Sequence, residues 1–339
     1  MKKIGLIGAG KMGISHLAIL GAHPDVEIIG VADTSTIVTD VIKKHTSFDV
    51  YSDYMDMLSE KKPDAVFVSV PTKYHEPIVQ KLLDRNINVF VEKPFSLNAD
   101  NGQILMDSSR QKNLFNQVGY HNKFIGTFIE AKRIIDSGSL GNLQLFSGNM
   151  NGPVVTKTKE QTWRSKPDEG GGCLMDYAAH LIDLINYLIA PITVVHGADL
   201  MSFYSASVED AVSCLLETKN GIHGTINVNW SDETFRKMST SITILGSKGK
   251  LTVDSTELKV YFKEVQPNGK YAKGWNVRHI NTLSPHVDFY LRGEEYSLQI
   301  DHFINVLEGR VPNNINTFET ALQTDKVIQQ IKNHKINAL

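Results

Sequence analysis

The sequence has few of the features that mark secreted, membrane-spanning or nucleic-acid-binding proteins. It contains only two cysteines, Cys173 and Cys214, which form neither a disulfide framework nor the spacing of a metal site. No apolar stretch approaches the roughly 20 residues that a helix needs to cross a bilayer. The formal net charge of −2 gives no electrostatic attraction for nucleic acid or anionic lipid. The sequence therefore predicts a cytoplasmic protein whose partners include neither nucleic acid nor a membrane.

What the sequence does have is length and an ordinary apolar content, which together allow two domains. Of its 339 residues, 41% are hydrophobic and 21% are charged, as in globular proteins. In the first third, short apolar runs alternate with helical patterns, an order typical of an α/β domain with a parallel sheet. The predicted strands of this sheet are Lys3–Ile7, Val26–Val31, Ala65–Val70, Val89–Val91 and Phe115–Val118.

The pattern changes beyond about Phe124, where extended segments joined by turn signals predominate. Asn220 and Gly221, for example, separate two apolar runs and predict a β-hairpin. Helices are predicted at Thr127–Asp136 and Leu174–Ile189. This part of the chain is therefore predicted to be an α+β domain, with helices on one face of an open, mainly antiparallel sheet.

A glycine motif follows the first predicted strand and opens a helix. The segment Gly8–Gly13 reads G-x-G-x-x-G, with Lys11 and Met12 as its variable pair. Gly8 allows a tight turn, Gly10 lets a pyrophosphate approach the backbone, and the third glycine lets the helix pack close to the strand. The helix then offers unpaired N–H groups and a positive dipole to the phosphates. The motif predicts a dinucleotide-binding Rossmann domain at residues 1–122, followed by a second domain at 123–339 whose last helix can pack back on the first.

The second strand ends at an acid that bears on the choice of dinucleotide. Asp33 lies 20 residues beyond Gly13, where a carboxylate accepts hydrogen bonds from the adenosine ribose. A carboxylate repels a 2′-phosphate, and the next residues, Thr34 and Ser35, supply no arginine to bind one. NAD is therefore favoured over NADP.

A lysine lies where the nicotinamide of a bound dinucleotide is expected. The strand Val89–Val91 runs into Glu92, Lys93 and Pro94, and ligands gather at the carboxyl ends of parallel strands. Lys93 can hydrogen-bond a substrate oxygen and favour developing alkoxide character. The same tripeptide is also compatible with an exposed charged turn.

The second chemical signal is an Asp-x-x-x-His pattern on a predicted helix. Asp176 and His180 are four residues apart, so that both face the same side of an α-helix. Histidine suits general base catalysis because its ordinary pKa lies near neutrality. A capped helix with a core histidine is the structural alternative. A metal site that includes Asp183 is a third reading, but no further ligand cluster supports it, so no metal is predicted.

Together these residues resemble the Gfo/Idh/MocA oxidoreductases, a family named for glucose–fructose oxidoreductase, inositol dehydrogenase and a rhizopine catabolism protein. The resemblance implies that Lys93, Asp176 and His180 are catalytic and converge between the domains. His180 would exchange the hydroxyl proton, Lys93 would polarise the reacting oxygen, and Asp176 would orient the substrate or tune its neighbours. The resemblance covers essentially the whole chain and rests on Gly8–Gly13, Asp33, Glu92-Lys93-Pro94, Gly119–Phe124, Trp163-Arg164, Gly170–Gly172 and Asp176–His180.

The resemblance also implies a wider set of cofactor-binding and substrate-binding residues. Trp163 and Arg164 look like a pair that reaches toward cofactor or substrate, and His75 like a histidine near the nicotinamide. The expected cofactor-binding residues are Gly8, Gly10, Lys11, Met12, Gly13, Asp33, Val70, Pro71, Thr72, His75, Glu92, Lys93, Trp163 and Arg164. The expected substrate-binding residues are Lys93, His121, Asn122, Asn151, Arg164, Asp176 and His180.

One segment departs from the family pattern. Where many relatives read Gly-aromatic-Asn-Arg-Arg-Phe, this chain has His121 and Asn122 in place of two customary residues. The substitutions either report substrate identity or are neutral loop variation. The polar side chains of the expected substrate-binding residues suit a sugar, an inositol, a sugar phosphate or a nucleotide sugar.

The resemblance also implies how the protein assembles and which other activities are possible. The antiparallel sheet of the second domain is expected to mediate a homodimer or homotetramer. Two other activities remain open: a non-redox enzyme that oxidises its substrate transiently, as certain glycosidases do, and an NAD-binding regulator without turnover.

Overall fold

The computed structural model describes residues 1–158, 162–267 and 269–337, and the chain divides into two compact units. The first comprises Met1–His121 and His286–Leu322, and the second comprises Asn122–Pro285 and Gln323–Leu339. The domain boundary predicted between residues 122 and 123 differs from this division at Asn122, which lies in the second unit, and at His286–Leu322, which the prediction assigns to the second domain. The assignment of cofactor binding to the first predicted domain and substrate binding to the second stays a prediction.

The first unit contains a parallel sheet of six strands. These are β1 (Lys2–Ile7), β2 (Val26–Ala32), β3 (Val50–Tyr51), β4 (Ala65–Val68), β5 (Asn88–Val91) and β6 (Asn116–Val118). Neighbouring strands are parallel throughout, in the order β3-β2-β1-β4-β5-β6. This is the order of a doubly wound dinucleotide-binding sheet, so the predicted fold class is confirmed for this unit. Sequence analysis missed β3 because two residues carry no detectable periodicity.

Helices, numbered along the chain, connect these strands and complete the core of the first unit. They are α1 (Lys11–Ala22), α2 (Thr36–His45), α3 (Tyr54–Glu60), α4 (His75–Asp84), α5 (Ala99–Gln111) and α8 (Glu294–Leu307). Helix α8 belongs to this unit because Ile300, Phe303 and Ile304 are buried in one apolar cluster with strand residues of the sheet. The Phe303 ring, for example, meets the Phe67 ring of β4 edge-on, with centroids 5.4 Å apart.

The second unit contains a mainly antiparallel sheet of eight strands. These are β7 (Leu143–Asn151), β8 (Ile192–Met201), β9 (Ala211–Thr218), β10 (His223–Asn229), β11 (Ser239–Gly246), β12 (Gly249–Asp254), β13 (Glu257–Phe262) and β14 (Gly274–His279). Their order is β14-β13-β12-β11-β7-β10-β9-β8. All neighbours are antiparallel except β7 and β10, which are parallel. The predicted open, mainly antiparallel sheet is confirmed.

One face of this second sheet packs against helices α6 (Gly126–Asp136) and α7 (Ala179–Leu188). The alternation in β9 shows the two faces: Val212, Cys214 and Leu216 are buried, whereas Leu215 between them is 46% exposed. Gly148 in β7 lets α7 approach closely, because a Cβ at this position would lie 3.0 Å from the Leu181 side chain. The face that carries Leu215 is therefore the open one.

Helix α9 (Phe318–Asn337) begins in the first unit and continues in the second. It has 20 residues, but charged and amide side chains recur along it. Across the described ranges, no helix combines the length and the apolar character needed to cross a bilayer. The cytoplasmic location stays a prediction.

Candidate active site

In the first unit, the predicted site residues lie at the carboxyl ends of four parallel strands. The glycine motif follows β1, Asp33 follows β2, the segment Val70–Thr72 follows β4, and Glu92 and Lys93 follow β5. Because all strands run in one direction, these ends share one edge of the sheet. The strand order also changes direction at β1 and β4, which is where open α/β sheets bind their ligands. The structure thus brings these residues to one edge.

The three glycines of the motif are required for different reasons. Gly8 has a φ of +89°, and a Cβ there would lie 2.5 Å from the carbonyl oxygen of Ser69. A Cβ on Gly13 would collide with the carbonyl oxygen of Gly8. Around Gly10, by contrast, a Cβ would meet nothing within 4 Å. Gly8 and Gly13 therefore shape the loop, while the space at Gly10 is open to a ligand.

That open space lies at the N-terminus of α1. Gly10 is the N-cap and offers no side chain to the first helical N–H groups, and the first turn contains no acidic residue. Lys11 is exposed and Met12 is half-buried in this turn. Free N–H groups and a positive helix end fit the pyrophosphate of a dinucleotide.

The acid after β2 is tied to the glycine loop. Asp33 accepts a hydrogen bond of 2.6 Å from the backbone N–H of Ala9 at Oδ2, and one of 2.8 Å from Ser35 at Oδ1. An ionised carboxylate has about four acceptor positions, so both oxygens can accept further donors. The half-buried Asp33 is therefore fixed in place and still suited to bind ribose hydroxyls.

Glu92 makes a buried hydrogen bond with a histidine that sequence analysis did not anticipate. Its Oε1 lies 2.6 Å from Nε2 of His16, a fully buried residue of α1. Burial by itself raises the pKa of the Glu92 carboxyl, but the hydrogen bond and charge of His16, together with Lys93, outweigh it and lower that pKa. The His16 ring also packs edge-on against Phe90, with centroids 5.2 Å apart. The only sequence signal was a histidine on the apolar face of α1.

The second oxygen of Glu92 holds the backbone of the next residue. The N–H of Lys93 donates to Oε2 of Glu92 over 3.1 Å, and the Lys93–Pro94 peptide bond is cis. Gly119 accommodates the carboxylate closely, since a Cβ there would lie 2.9 Å from Oε2. Lys93 is half-buried. The backbone of Lys93 is therefore held by the buried Glu92 carboxylate, at the carboxyl end of β5.

His75 connects the loops that follow β4 and β5. It begins α4 and is buried, with Nδ1 3.0 Å from the carbonyl oxygen of Pro94 and Nε2 3.0 Å from that of Val70. Burial lowers the pKa of His75, and these backbone hydrogen bonds offset the effect only in part. Nearby, Thr72 is buried and Pro71 is exposed. The contacts of His75 with both loops suit a residue that positions Lys93.

His121 ends the contiguous N-terminal part of the first unit and is also buried. Its ring stacks on Tyr296, with centroids 4.6 Å apart. Burial lowers the pKa of His121 to about 4, so the imidazole is neutral near pH 7. A neutral imidazole can donate one hydrogen bond and accept another, which suits a hydroxyl-bearing ligand.

In the second unit, the structure brings Arg164 and Asp176 together. Nε of Arg164 donates to Oδ2 of Asp176 over 3.1 Å, and the guanidinium lies over the Trp163 ring, 4.5 Å from its centroid. Asp176 lies in a π-helical turn, Leu174–Ala178, that precedes α7. The predicted continuous α-helix is wrong in this first turn, which is wider; such π turns occur often at functional sites.

His180 is the second residue of α7 and is buried, as is Asp176 one turn earlier. A core histidine and a catalytic one are both compatible with this burial. The roles of Asp176 and His180 therefore remain predictions at this point.

A glycine run positions Arg164. The N–H of Gly172 donates to the carbonyl oxygen of Arg164 over 3.0 Å, and Gly172 has a φ of +104°. A Cβ on Gly171 would collide with that same carbonyl. Glu209, which sequence analysis missed, accepts a hydrogen bond from the N–H of Leu174 over 2.8 Å at the start of the π turn. Its contact comes from a distant part of the sequence and left no local signal.

Two predicted substrate-binding amides lie on other elements of the second unit. Asn122 is buried in the 3₁₀ turn His121–Phe124, and its Nδ2 has no hydrogen-bond partner among the described residues. Such an atom fits a polar ligand, because burying it unsatisfied costs free energy. Asn151 ends β7 and is half-buried.

Asp183, considered in sequence analysis as a metal ligand, has a different partner. Its Oδ1 lies 2.8 Å from Nζ of Lys123, and both side chains are almost fully buried. Burial raises the pKa of Asp183, and the lysine charge opposes that change. The lysine therefore supplies the cation that compensates this carboxylate.

The sheet order, the open glycine loop and the acid after β2 define a dinucleotide-binding Rossmann domain. The sequence model of the oxidoreductase family with an NAD-binding Rossmann fold matches residues 2–120, and that of the GFO/IDH/MocA C-terminal domain matches residues 128–252. The chain belongs to the Gfo/Idh/MocA family, as the sequence resemblance predicted.

Relatives and solved structures agree with this assignment. Inositol 2-dehydrogenase from Rhizobium meliloti (strain 1021) is 23% identical over 317 residues, which are 90% of this chain and 88% of that protein. A levoglucosan dehydrogenase in complex with NADH has a TM-score of 0.88 at 19% identity, covering 99% of this chain and 97% of that one. The WlbA dehydrogenase from Bordetella pertussis, in complex with NADH and UDP-GlcNAcA, has a TM-score of 0.87 at 22% identity, covering 100% and 96%. At these identities the structural similarity shows the fold.

Proposed function

We propose that this protein is an NAD-dependent dehydrogenase that oxidises a ring hydroxyl of a sugar or polyol to a ketone, or catalyses the reverse reduction. The observation that carries the proposal is the anchored position of Lys93 at the carboxyl end of β5, on the same sheet edge as the open glycine loop. A basic side chain at the edge that binds the dinucleotide suits an oxygen that gains negative charge during hydride transfer.

Three residues carry the chemistry in this proposal. The nicotinamide, when bound, accepts or returns the hydride. His180 takes the hydroxyl proton during oxidation and gives it back during reduction. Lys93 hydrogen-bonds the reacting oxygen and stabilises its negative charge. Asp176, held by Arg164 at 3.1 Å, orients the substrate.

The cofactor preference follows from Asp33. Its carboxylate is fixed by the N–H groups of Ala9 and Ser35 and cannot turn away easily from a 2′-phosphate. The negative carboxylate of Asp33 would repel the negative 2′-phosphate of NADP, so NAD is the preferred cofactor. Asp33→Ser is expected to lower the ratio of the Kd for NADP to the Kd for NAD, when both cofactors are titrated against the wild type and the variant.

The substrate class is proposed from the polar side chains and from the relatives. Neutral His121, the Asn122 amide and the pair of Arg164 and Asp176 offer both donors and acceptors, which match neighbouring hydroxyls on a ring. The similar proteins act on an inositol or are named for a sugar, and one was crystallised with a nucleotide sugar. Inositols, sugars, sugar phosphates and nucleotide sugars therefore form the candidate set.

The open face of the second sheet is the proposed surface of homo-oligomerisation. Leu145 and Leu245 lie opposite each other in β7 and β11 and are 53% and 38% exposed. Leu215 and Trp275 on β9 and β14 are 46% and 60% exposed, and exposed apolar side chains on one face favour association. Leu145→Arg is expected to lower the mass measured by light scattering, whereas Ile37→Arg on α2 is expected to leave it unchanged.

A substrate panel tests the proposed activity. The purified protein is incubated with NAD⁺ and each candidate substrate, and NADH absorbance is followed for the wild type, Lys93→Ala and the exposed control Lys81→Ala. We expect substrate-dependent NADH formation in the wild type and the control, and its loss in Lys93→Ala. Product without net NADH would instead support transient oxidation. NAD binding without any product from the panel would support a regulator.

A further inference from the structure

Two histidines and a glutamate converge on the open face of the second sheet. His196 lies on β8, Glu217 on β9 and His223 on β10, which are three adjacent strands at one edge of the sheet. Glu217 and His223 are direct partners in the antiparallel register of β9 and β10. The three side chains therefore project from a hydrogen-bonded framework rather than from a loop.

An irregularity in the edge strand brings the third side chain into the group. The register between β8 and β9 shifts between Val195 and Gly197, which makes His196 the extra residue of a bulge. A bulge changes the direction in which a side chain points. Here Nε2 of His196 lies 2.7 Å from Oε2 of Glu217.

The spacing of the three ligand atoms is close to that of a metal site. One nitrogen or oxygen from each residue lies within 4.8 Å of the other two. Ligands at about 2.0–2.2 Å from a tetrahedral ion lie about 3.3–3.6 Å from one another. Small side-chain rotations therefore suffice, and they are available because both histidines are exposed and Glu217 is half-buried. Within the described part of the chain, no other three His, Cys, Asp or Glu side chains meet this spacing.

An ion pair between His196 and Glu217 accounts for two of the residues but leaves His223 unexplained. The two imidazole rings lie side by side, with centroids 5.4 Å apart and planes at 26°. If both were protonated they would repel each other, and only one of them is within hydrogen-bond distance of the carboxylate in the described contacts. A single divalent cation would satisfy both neutral imidazoles and the carboxylate together.

We propose that His196, Glu217 and His223 form a binding site for a divalent transition metal of the Zn²⁺ class. Two imidazoles and a carboxylate suit Zn²⁺, Co²⁺ or Ni²⁺, whereas Mg²⁺ and Ca²⁺ prefer oxygen ligands. Three protein ligands leave a coordination position for water. Sequence analysis predicted no metal, because the three residues lie 21 and 6 positions apart on separate strands.

Co²⁺ is the probe that tests this site, because its visible absorption reports coordination by nitrogen ligands. The metal-stripped protein is titrated with Co²⁺ alone, followed by competition with Zn²⁺ and, separately, Mg²⁺. If the site binds metal as proposed, absorption bands should appear and saturate at about one Co²⁺ per chain. These bands should be lost when Zn²⁺ displaces Co²⁺ and should not change when Mg²⁺ is added. Absence of saturable bands would overturn the proposal.

Variants assign the bands to these residues. Removing one of three ligands by His223→Ala or Glu217→Gln is expected to weaken Co²⁺ binding at least about tenfold, since even indirect ligand support is worth 10- to 100-fold. The matched control is His279→Ala, because His279 and Glu257 form another His–Glu pair on this sheet, 3.7 Å apart, without a second imidazole. Bands that survive in the His196→Ala, His223→Ala double variant would contradict the assignment. Glu217→Gln keeps the side-chain shape, so it tests the site even if a histidine variant folds poorly.

Discussion

The two units hold their candidate site residues in different ways. At the edge of the first sheet, the glycine loop, Asp33 and Lys93 are fixed by backbone contacts of residues within or next to the motifs themselves. In the second unit, Asp176 is held by Arg164, which is 12 residues away, and the π turn that contains Asp176 is capped by Glu209. The first kind of site is fixed by backbone N–H groups of its own motifs, even where these are 24 residues apart as Ala9 and Asp33 are, whereas the second is fixed by a side chain and by a cap from a separate segment. Substitutions in the two units are therefore expected to differ in their effects on stability and on binding.

The buried ion pair of the second unit is expected to give the largest effect on stability. Lys123→Met leaves the carboxylate of Asp183 buried without its cation, which costs about 3–5 kcal/mol. Urea unfolding at neutral pH measures this loss. The control is Lys132→Met, which removes an exposed pair with Asp136 and is expected to cost no more than about 0.5 kcal/mol. Equal losses in the two variants would show that the buried pair does not stabilise the unit.

The His16 and Glu92 pair is the corresponding test in the first unit. His16→Gln removes the hydrogen bond that the imidazole makes with the Glu92 carboxylate and is expected to cost about 1.5–3 kcal/mol at pH 7, the range for hydrogen bonds to charged groups. Because folding lowers the pKa of Glu92, its stabilisation is present above the ordinary glutamate value of 4.5 and is lost as pH falls through the lowered pKa. Urea unfolding of both proteins at several pH values should therefore show the difference shrinking in acid. A difference that is constant down to the lowest pH would contradict this account of Glu92.

The glycine loop allows its structural and ligand-binding functions to be separated. Gly13→Ala forces a Cβ against the carbonyl oxygen of Gly8 and is expected to cost about 1–3 kcal/mol of stability as well as NAD affinity. Gly10→Ala meets no atom within 4 Å, so we expect normal stability with NAD binding weakened at least about tenfold. Calorimetric titration with NAD⁺ and urea unfolding measure the two effects. A Gly10→Ala protein with unchanged NAD affinity would place the pyrophosphate elsewhere.

Arg164 is expected to give the smallest effect on stability and a clear effect on activity. Its side chain is 39% exposed, so Arg164→Ala should cost about 0–1 kcal/mol of stability. Loss of its hydrogen bond to Asp176 should nevertheless lower kcat/KM at least about tenfold. Steady-state kinetics on the substrate identified by the panel provides the measurement, and Arg164→Lys is the charge-preserving comparison. Unchanged kcat/KM in Arg164→Ala would remove Arg164 from the site.

The same contrast explains what could be predicted from the sequence. The glycine motif, Asp33 and five of the six strands of the first sheet were predicted, because short-range patterns encode them. The buried partner His16 was missed, since a histidine on an apolar helix face gives no sign of the carboxylate that it meets. Helix α8 lies in the compact unit of the parallel sheet, whereas the sequence-based boundary places it in the second domain, for a similar reason: the burial of Phe303 against Phe67 joins residues 236 positions apart.

In the second unit, the sheet type and the helices were predicted, but the details of the site were not. The π turn at Leu174–Ala178 has the same sequence periodicity as an ordinary helix end, and its cap at Glu209 comes from another segment. Asp176 was predicted as a site residue from its spacing to His180 and Arg164 from a resemblance, whereas their mutual hydrogen bond became visible only in the fold. Tertiary contacts decide such features, and local propensity does not contain them.

The most direct test of the proposed chemistry compares NAD binding with turnover in Lys93→Met and His180→Ala. Both variants are expected to bind NAD⁺ within about threefold of the wild-type Kd and to lose at least about 100-fold in kcat, because a general base or an oxyanion-stabilising group has been removed. The exposed control Lys81→Met should match the wild type in both measurements. If either variant retained wild-type kcat with the identified substrate, the proposed role of that residue would be wrong.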